Sequence, residues 1–334
     1  MSRLDEVARR AGVSKSTVSR VINNTGTVSP ASRQKVQEAM RELHFHAEEL
    51  KRSPEGSATI GLILPFGKHI ASHSFGVDIM AGAEEKAFEQ DYMILIGNSF
   101  GGREVALTSK MISRGVEGII VLSGDQKNRE HAELLAASGI PMVLVDQKLE
   151  GVEAHLVRGD NFMGSVALMN HLLSLGHRRI ALLSPSRHYT HRERVKGYRF
   201  ALMEQELEVP PSYEVLVESG VSPEAELRAL LQSEDRPTAV YAADPGHLGT
   251  LIGVANELQL GIPEELSVVT FDDTYAAALP EGYADFFTSV NQSGKLMGSM
   301  AVELLFRQWR DPELGAQEIV LPGKLNVRRS TCRL

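Results

Sequence analysis

Three aspartates and an arginine sit at the ends of apolar runs. Asp146 follows PMVLV, Asp244 follows AVYAA, Asp272 follows LSVVTF, and Arg194 opens the run RVKGYRFAL. Carboxylates and a guanidinium at strand ends can grip hydroxyl groups through charge-assisted hydrogen bonds. These four residues are therefore candidates for holding a small polar ligand. Strand-end acids also cap helices and stabilise turns, and that use competes at each position. Phe75, after the first apolar run, is a candidate wall of the same site, with core packing as its alternative. The loop SRHYTHRER holds Arg187, His188, Thr190, His191 and Arg192 beside Arg194. Thr190 is a further ligand candidate. The positive density suits an anionic ligand such as a sugar phosphate or acid, or is only a solvated basic loop.

A second chemistry lies in the first 46 residues. They carry eight Lys/Arg (Arg3, Arg9, Arg10, Lys15, Arg20, Arg33, Lys35, Arg41) against four acids, a balance of +4 in a chain whose formal net charge is -8. A small basic head on an acidic body points to a polyanion partner for the head. Leu4, Val7, Ala8 and Ala11 repeat at helical spacing, Gly12 permits a sharp turn, and Ser14 caps a second helix from Lys15 to about Asn23. Ser29 and Pro30 start a third helix with Val36, Ala39, Met40 and Leu43 inward. Two helices about a glycine turn form a helix-turn-helix, whose second helix enters the major groove of DNA. On that helix Arg20 suits guanine, Lys15 and Ser16 suit base edges, and Thr17 and Ser19 suit phosphates. The competing reading is a three-helix bundle with a solvated charged face.

Other chemistries find less support. HIASH (His69 to His73) and the His188/His191 pair have spacings that fit a metal on a helix, but both stretches read as loops without a Cys partner. No phosphate loop, dinucleotide fingerprint or G-x-S-x-G elbow is present. No enzyme activity, cofactor or metal is expected. The single cysteine, Cys332, fits a reducing cytoplasm, and no apolar run approaches the ~18 residues of a membrane span.

From Thr59 onward the pattern dictates what positions these groups. TIGLILP, YMILIG, GIIVLS, PMVLVD, ALLS, AVYAA and LSVVTFDD alternate with helical stretches such as NFMGSVALMNHLLSLG. Short apolar strands between amphipathic helices mean parallel sheets covered on both faces. About 275 residues exceed one comfortable core, so two lobes are expected. The predicted fold is an all-α helix-turn-helix head plus an α/β two-lobed core of parallel, doubly wound sheets.

The head resembles the lactose-repressor/galactose-repressor (LacI/GalR) family. The motifs are Ala11–Ser14 (AGVS), Thr17–Val21 (TVSRV), Asn23, and Asp5, Val7 and Ala8, offset by one residue with Glu6 beside them. GVEGIIVL, GDNFMGSVAL, LGHRRIALL, LGIPEELSVVTFDD, SVNQ and LNVRRST carry the resemblance through the body to the family's periplasmic-binding-protein-like core. It implies a dimeric transcriptional regulator, expected to be a repressor, that binds a pseudo-palindromic double-stranded DNA operator and a small effector between its lobes. The competing class is a small-molecule-binding module without a DNA role.

By this resemblance Arg194 and Asp272 match the most typical effector contacts, and Asp146, Asp160, Asp244 and Gln292 match motif positions. It also implies three crossings between lobes, placed near Leu156–Gly159, Thr288–Gln292 and Ile319–Gly323. The expected domains are residues 1–46, a linker at 47–58, lobe one at about 59–156 and 291–319, and lobe two at about 157–290 and 320–334. No leucine heptad follows the last strand, so a tetramer is not expected.

Departures are informative. Val221 stands where an aromatic ring often stacks on the effector, Ala243 replaces an Asn, and His247 replaces a small residue. The family linker, Asn-x-x-Ala-Arg-x-Leu, becomes EELKRSP. Arg52 is kept, Lys51 replaces Ala, Pro54 replaces Leu, and Leu50 is the remaining apolar wedge for the minor groove. Pro54 and Gly56 disfavour a hinge helix, and Glu48 and Glu49 would sit near phosphates. A short or unfolded hinge and little operator kinking are expected, with Leu50 and Arg52 as the linker's DNA contacts.

Overall fold

The computed structural model describes residues 3–22, 28–43, 57–65, 74–122, 128–186, 188–272, 279, 282–283 and 285–334. Two compact units result, Met1–Ser57 and Ala58–Leu334. Asn23, Leu50, Arg52 and the Pro54 linker lie outside the described residues, as do His69, His73 and Arg187.

The head is three helices, α1 (Arg3–Ala11), α2 (Lys15–Ile22) and α3 (Pro30–Glu42). Gly12 turns the chain between the first two in the left-handed region, φ 64°, where a side chain would be strained. Ser14 caps α2, its Oγ accepting from the Thr17 amide at 3.2 Å. Ser29 caps α3 in the same way, accepting from the Ser32 amide at 3.2 Å. Val7, Ala8, Ala11, Val18, Val21, Val36 and Ala39 meet in one core, the stripe that helical spacing demands.

The larger unit carries two six-stranded sheets. The first holds β1 (Thr59–Leu64), β2 (Met93–Asn98), β3 (Gly118–Val121), β4 (Met142–Val145), β5 (His155–Gly159) and β11 (Glu318–Leu321), in the order β11-β5-β4-β3-β1-β2. The second holds β6 (Ile180–Pro185), β7 (Glu214–Val217), β8 (Ala239–Ala242), β9 (Ser267–Phe271), β10 (Thr288–Asn291) and β12 (Lys324–Asn326), in the order β12-β10-β9-β8-β6-β7. Every pairing is parallel except β10 with β12. The sheets have the same order, strand for strand, with β4, β5 and β11 answering β9, β10 and β12.

Apolar side chains line both faces, as buried parallel strands require. In β1, Ile60, Leu62 and Leu64 pack on α4 (Ser74–Phe88) and α11 (Gly294–Arg310). Ile63 faces the other way, toward α5 (Glu104–Ser113) and α6 (Arg129–Ser138). In the second lobe α7 (Asn161–Ser174) and α8 (Tyr189–Met203) cover one face. The other is covered by α9 (Glu224–Gln232) and α10 (Leu248–Glu257).

The chain passes between sheets after β5, after β10 and after β11. The approximate lobe divisions at 156, 290 and 319 become 159, 291 and 321, inside the crossing stretches 156–159, 288–292 and 319–323. The reason is the ladder. Gly159 still pairs with Leu321, so the backbone cannot leave the first sheet earlier without losing those bonds. Strands β5, β7, β10, β11 and β12 have only 3 to 5 residues, several of them polar, and an apolar-run reading passes over them.

Candidate ligand cleft and nucleic-acid interface

The carboxyl ends of β4 and β9 meet around Arg194. Each strand is followed by an aspartate in the left-handed region, Asp146 at φ 52° and Asp272 at φ 60°, a conformation Asp tolerates better than most residues. The Asp146 amide donates to the Val157 carbonyl and the Asp272 amide to the Val290 carbonyl, both at 2.8 Å. Each carboxylate then receives the first amide of a crossing. Gly159 N–H reaches Asp146 Oδ1 at 3.1 Å, and Gln292 N–H reaches Asp272 Oδ1 at 3.0 Å.

Side-chain amides complete the two clamps. Asn161 Nδ2 donates to Asp146 Oδ1 at 3.2 Å, and Gln292 Nε2 to Asp272 Oδ2 at 3.0 Å. A Cβ at Gly159 would lie 2.0 Å from Gln292 Oε1, so a larger residue there would push the Gln292 side chain aside.

Arg194 lies between the clamps, 4% exposed. Its Nε donates to Asn161 Oδ1 and its Nη1 to the Ala243 carbonyl, both at 2.7 Å. Nη2 is 3.7 Å from Asp272 Oδ2, and the guanidinium stacks on Phe271 at 3.8 Å. Burial pushes the Asp146 carboxyl up to about 6, opposed by the charge of Arg194. It raises Asp272 as well, against the pull of Arg194 and the Gln292 hydrogen bonds.

Asp244 is engaged elsewhere. Its Oδ1 accepts from the Gly246 amide at 2.7 Å, and His191 Nε2 sits 2.9 Å from its Oδ2. Burial pushes His191 down to about 4, so a neutral ring donates from Nε2, and Nδ1 is left buried with no partner. Burial would raise Asp244, but the His191 hydrogen bond holds it well below the usual carboxylate range. His188, His191, Asp244, His247, Glu218 and Val221 border a cavity of about 250 Å³.

The sequence-predicted residues divide accordingly. Asp146, Arg194, Asp272 and Gln292 come together in one network, and Asp244 forms a second with His191. Thr190 is buried in the first turn of α8. Asp160 caps α7, accepting from the Met163 amide at 3.0 Å. Phe75 packs against the core of the first lobe and lies beside Gly294 at the head of α11. The stretch read as the loop SRHYTHRER is helical from Tyr189, so Arg194 sits in the second turn of α8 and does not open it. His191 is likewise helical, with its Nε2 held by Asp244 and its ring 5.4 Å from that of His188. Among the described residues no group of three or more His, Cys, Asp or Glu is arranged to hold a metal ion, and no helix is long and apolar enough to cross a membrane.

Sequence reasoning missed Asn161. The signal was a polar side chain at the first position of the helix, followed by Phe162, Met163 and Gly164 and directly after its Asp160 cap.

On the head, Ser16 and Arg20 are exposed on α2 and Thr17 is half-buried. The Thr17 and Ser16 hydroxyls both lie 2.8 Å from Ser14 Oγ, which fixes the start of the helix. Lys15 and Ser19 lie on the same helix. Arg10 of α1 pairs with Glu42 of α3 at 2.6 Å.

Comparison with known proteins places both units. Residues 169–331 match the family described as periplasmic binding protein-like domain, and residues 3–48 match bacterial regulatory proteins, lacI family. The chain is 30% identical over 336 residues to catabolite control protein A of Priestia megaterium, covering 98% of each. It is 31% identical over 338 residues to the HTH-type transcriptional regulator DegA of Bacillus subtilis, again covering 98% of each. Among solved structures, the transcriptional regulator CelR–cellobiose complex superposes with a TM-score of 0.72 at 28% identity, over 99% of this chain and 100% of that one. With its head matched by that family and nearly its whole length by regulators of transcription, the chain belongs to the lacI family of bacterial regulatory proteins and is a DNA-binding transcriptional regulator.

Proposed function

We propose that the protein is a cytoplasmic, homodimeric repressor whose heads read a pseudo-palindromic operator and whose core takes a sugar or sugar derivative between its lobes. Lys15, Ser16, Thr17, Ser19, Arg20 and Asn23 form the DNA-reading set, with Leu50 and Arg52 of the linker. Asp146, Thr190, Arg194, Asp244, Asp272 and Gln292 form the effector set, and Phe75 is left to the core. The reading assigns no reaction to the chain.

The observation that carries the reading is the buried Arg194 network at the carboxyl ends of β4 and β9, where ligands bind in open parallel sheets. Its guanidinium is held by Asn161, Ala243 and Asp272. An anionic effector would have to compete with those partners, whereas hydroxyls can add to the carboxylates. The cellobiose of the CelR neighbour supports a saccharide. A homodimer is supported by β2, an edge strand that exposes Met93, Leu95 and Ile96 next to exposed Phe88 and Phe100, apolar surface of the kind that marks an interface.

Mobility shift with genomic fragments tests the head, and a saccharide panel added to the retained fragment tests the core. Wild type should select a fragment, and Arg20→Ala should lose about 1–3 kcal/mol of that selectivity at the same salt. An Arg20→Ala protein that binds as selectively as wild type would remove α2 from base readout.

A further inference from the structure

Asn161 is fully buried, and its amide is fully engaged. Nδ2 donates to Asp146 Oδ1 and to the Gly159 carbonyl, both at 3.2 Å, and Oδ1 accepts from Arg194 Nε at 2.7 Å. A guanidinium has no acceptor and a carboxylate no donor, so these partners fix which way the amide points. Only a side chain with a donor and an acceptor at this reach can serve both.

The contacts continue in both directions. On one side they end in the first lobe, at the Asp146 clamp that receives the Gly159 amide of the first crossing. On the other they run through the Arg194–Asp272 pair to the clamp that receives the Gln292 amide of the second crossing. We propose that Asn161 is a positioning residue for regulation, which ties the Arg194 guanidinium to the first crossing so that displacement of Arg194 loosens both crossings together. This inference rests on the reading of the Arg194 network as the effector site. A ligand that draws Arg194 away from Asn161 changes both clamps in one event, and a two-state change of lobe orientation is the element such an event biases.

The two clamp amides report on the relay directly, because Gly159 N–H and Gln292 N–H are themselves the donors. Hydrogen exchange on the full chain at pH 7.5, without ligand, compares wild type with Asn161→Leu, Asn161→Asp and Arg194→Met. Asn161→Leu and Arg194→Met should speed exchange about tenfold or more at both 159–161 and 291–293. Asn161→Asp keeps an acceptor for Arg194 but puts a carboxylate beside Asp146, so exchange should rise at 159–161 alone.

The relay is overturned if Asn161→Leu loosens only its own crossing, which would make Asn161 a local cap. It is also overturned if Asn161→Asp loosens both crossings, which would send the coupling through the Gly159–Gln292 contact instead. Melting curves establish that each variant is folded. Should Asn161→Leu fail to fold, Arg194→Met and Asn161→Asp still decide, since the first must act on both crossings and the second on one. If the relay holds while no saccharide alters operator binding, the effector reading fails and the relay stands.

Discussion

Asp146 and Asp272 occupy equivalent places in the two lobes, and their backbones do the same thing. Each ends a strand in the left-handed region, pairs its amide with the neighbouring strand, and offers its carboxylate to the first amide of a crossing. The side chains around them differ. Asp272 uses both oxygens, one for the Gln292 amide and one for the Gln292 side chain, with Arg194 nearby. Asp146 takes both its hydrogen bonds on Oδ1, from neutral donors, and meets Arg194 only through Asn161. A repeated sheet order fixes where a clamp forms, and the residues bonded to it decide whether it meets the Arg194 guanidinium directly or through an amide.

Removing the shared cation breaks the comparison most severely. Arg194→Met should cost about 3–5 kcal/mol, because Asp272 is left buried without its counter-charge and Asn161 and Ala243 lose a donor. Urea unfolding measures it. A loss below ~1 kcal/mol would mean that the guanidinium holds neither clamp.

Neutralising each carboxylate sharpens the asymmetry. Asp272→Asn deprives Arg194 of its anion and forces the Gln292 side chain to turn its Oε1, which has no partner, toward the new amide. The expected loss is about 2–3 kcal/mol. Asn at 146 retains an oxygen for both donors, so Asp146→Asn should cost less than ~1 kcal/mol at neutral pH. Equal losses in the two variants would show that the clamps are electrostatically alike.

How much of this was legible follows from the physics of each part. The head could be read because its capping hydroxyls, glycine turn and apolar stripe are local in sequence. The long apolar strands were visible for the same reason, and so were Asp146, Asp244 and Asp272, which end them. Asn161 was not, because its role depends on Asp146 and Arg194, fifteen and thirty-three residues away. The pairing of His191 with Asp244 spans fifty-three residues and was hidden within a stretch read as a basic loop. Strand β12, three residues long with an exposed Lys324, has no apolar periodicity to detect. It exists because β10 offers an edge for it.

The direct contact between crossings gives a smaller effect. A Cβ at position 159 meets the movable end of Gln292 rather than backbone, so Gly159→Ala should displace that side chain from Asp272 at about 1 kcal/mol. Gln292→Ala removes the obstacle, so the double variant should be less destabilised than the sum of the two single changes. Strict additivity in urea unfolding would place the strain of Gly159→Ala elsewhere.

The last effect is a tilt with pH, because Asp146 and His191 contribute slopes of opposite sign. Burial pushes Asp146 from 3.8 up to about 6, so between those values the folded state holds a proton that the unfolded state has released. The stability this carboxyl contributes is therefore present below about pH 4 and is lost as pH rises through about 6. Burial pushes His191 the other way, from 6.5 down to about 4, so in that window the unfolded state binds the extra proton. Its contribution is present above 6.5 and is lost as pH falls toward 4. In the wild type these two contributions oppose each other between pH 4 and 6, on top of a slope from His131, which burial also pushes down to about 4. Asp146→Asn should leave the His191 slope exposed, with melting temperature rising more steeply across that range than in wild type. His191→Gln should leave the Asp146 slope, and its melting temperature should rise less steeply or fall. Melting curves for the three proteins across the same buffers decide the matter. If Asp146→Asn parallels wild type throughout, the Asp146 carboxyl does not titrate in this window, and the first clamp is as firmly ionised as a surface acid.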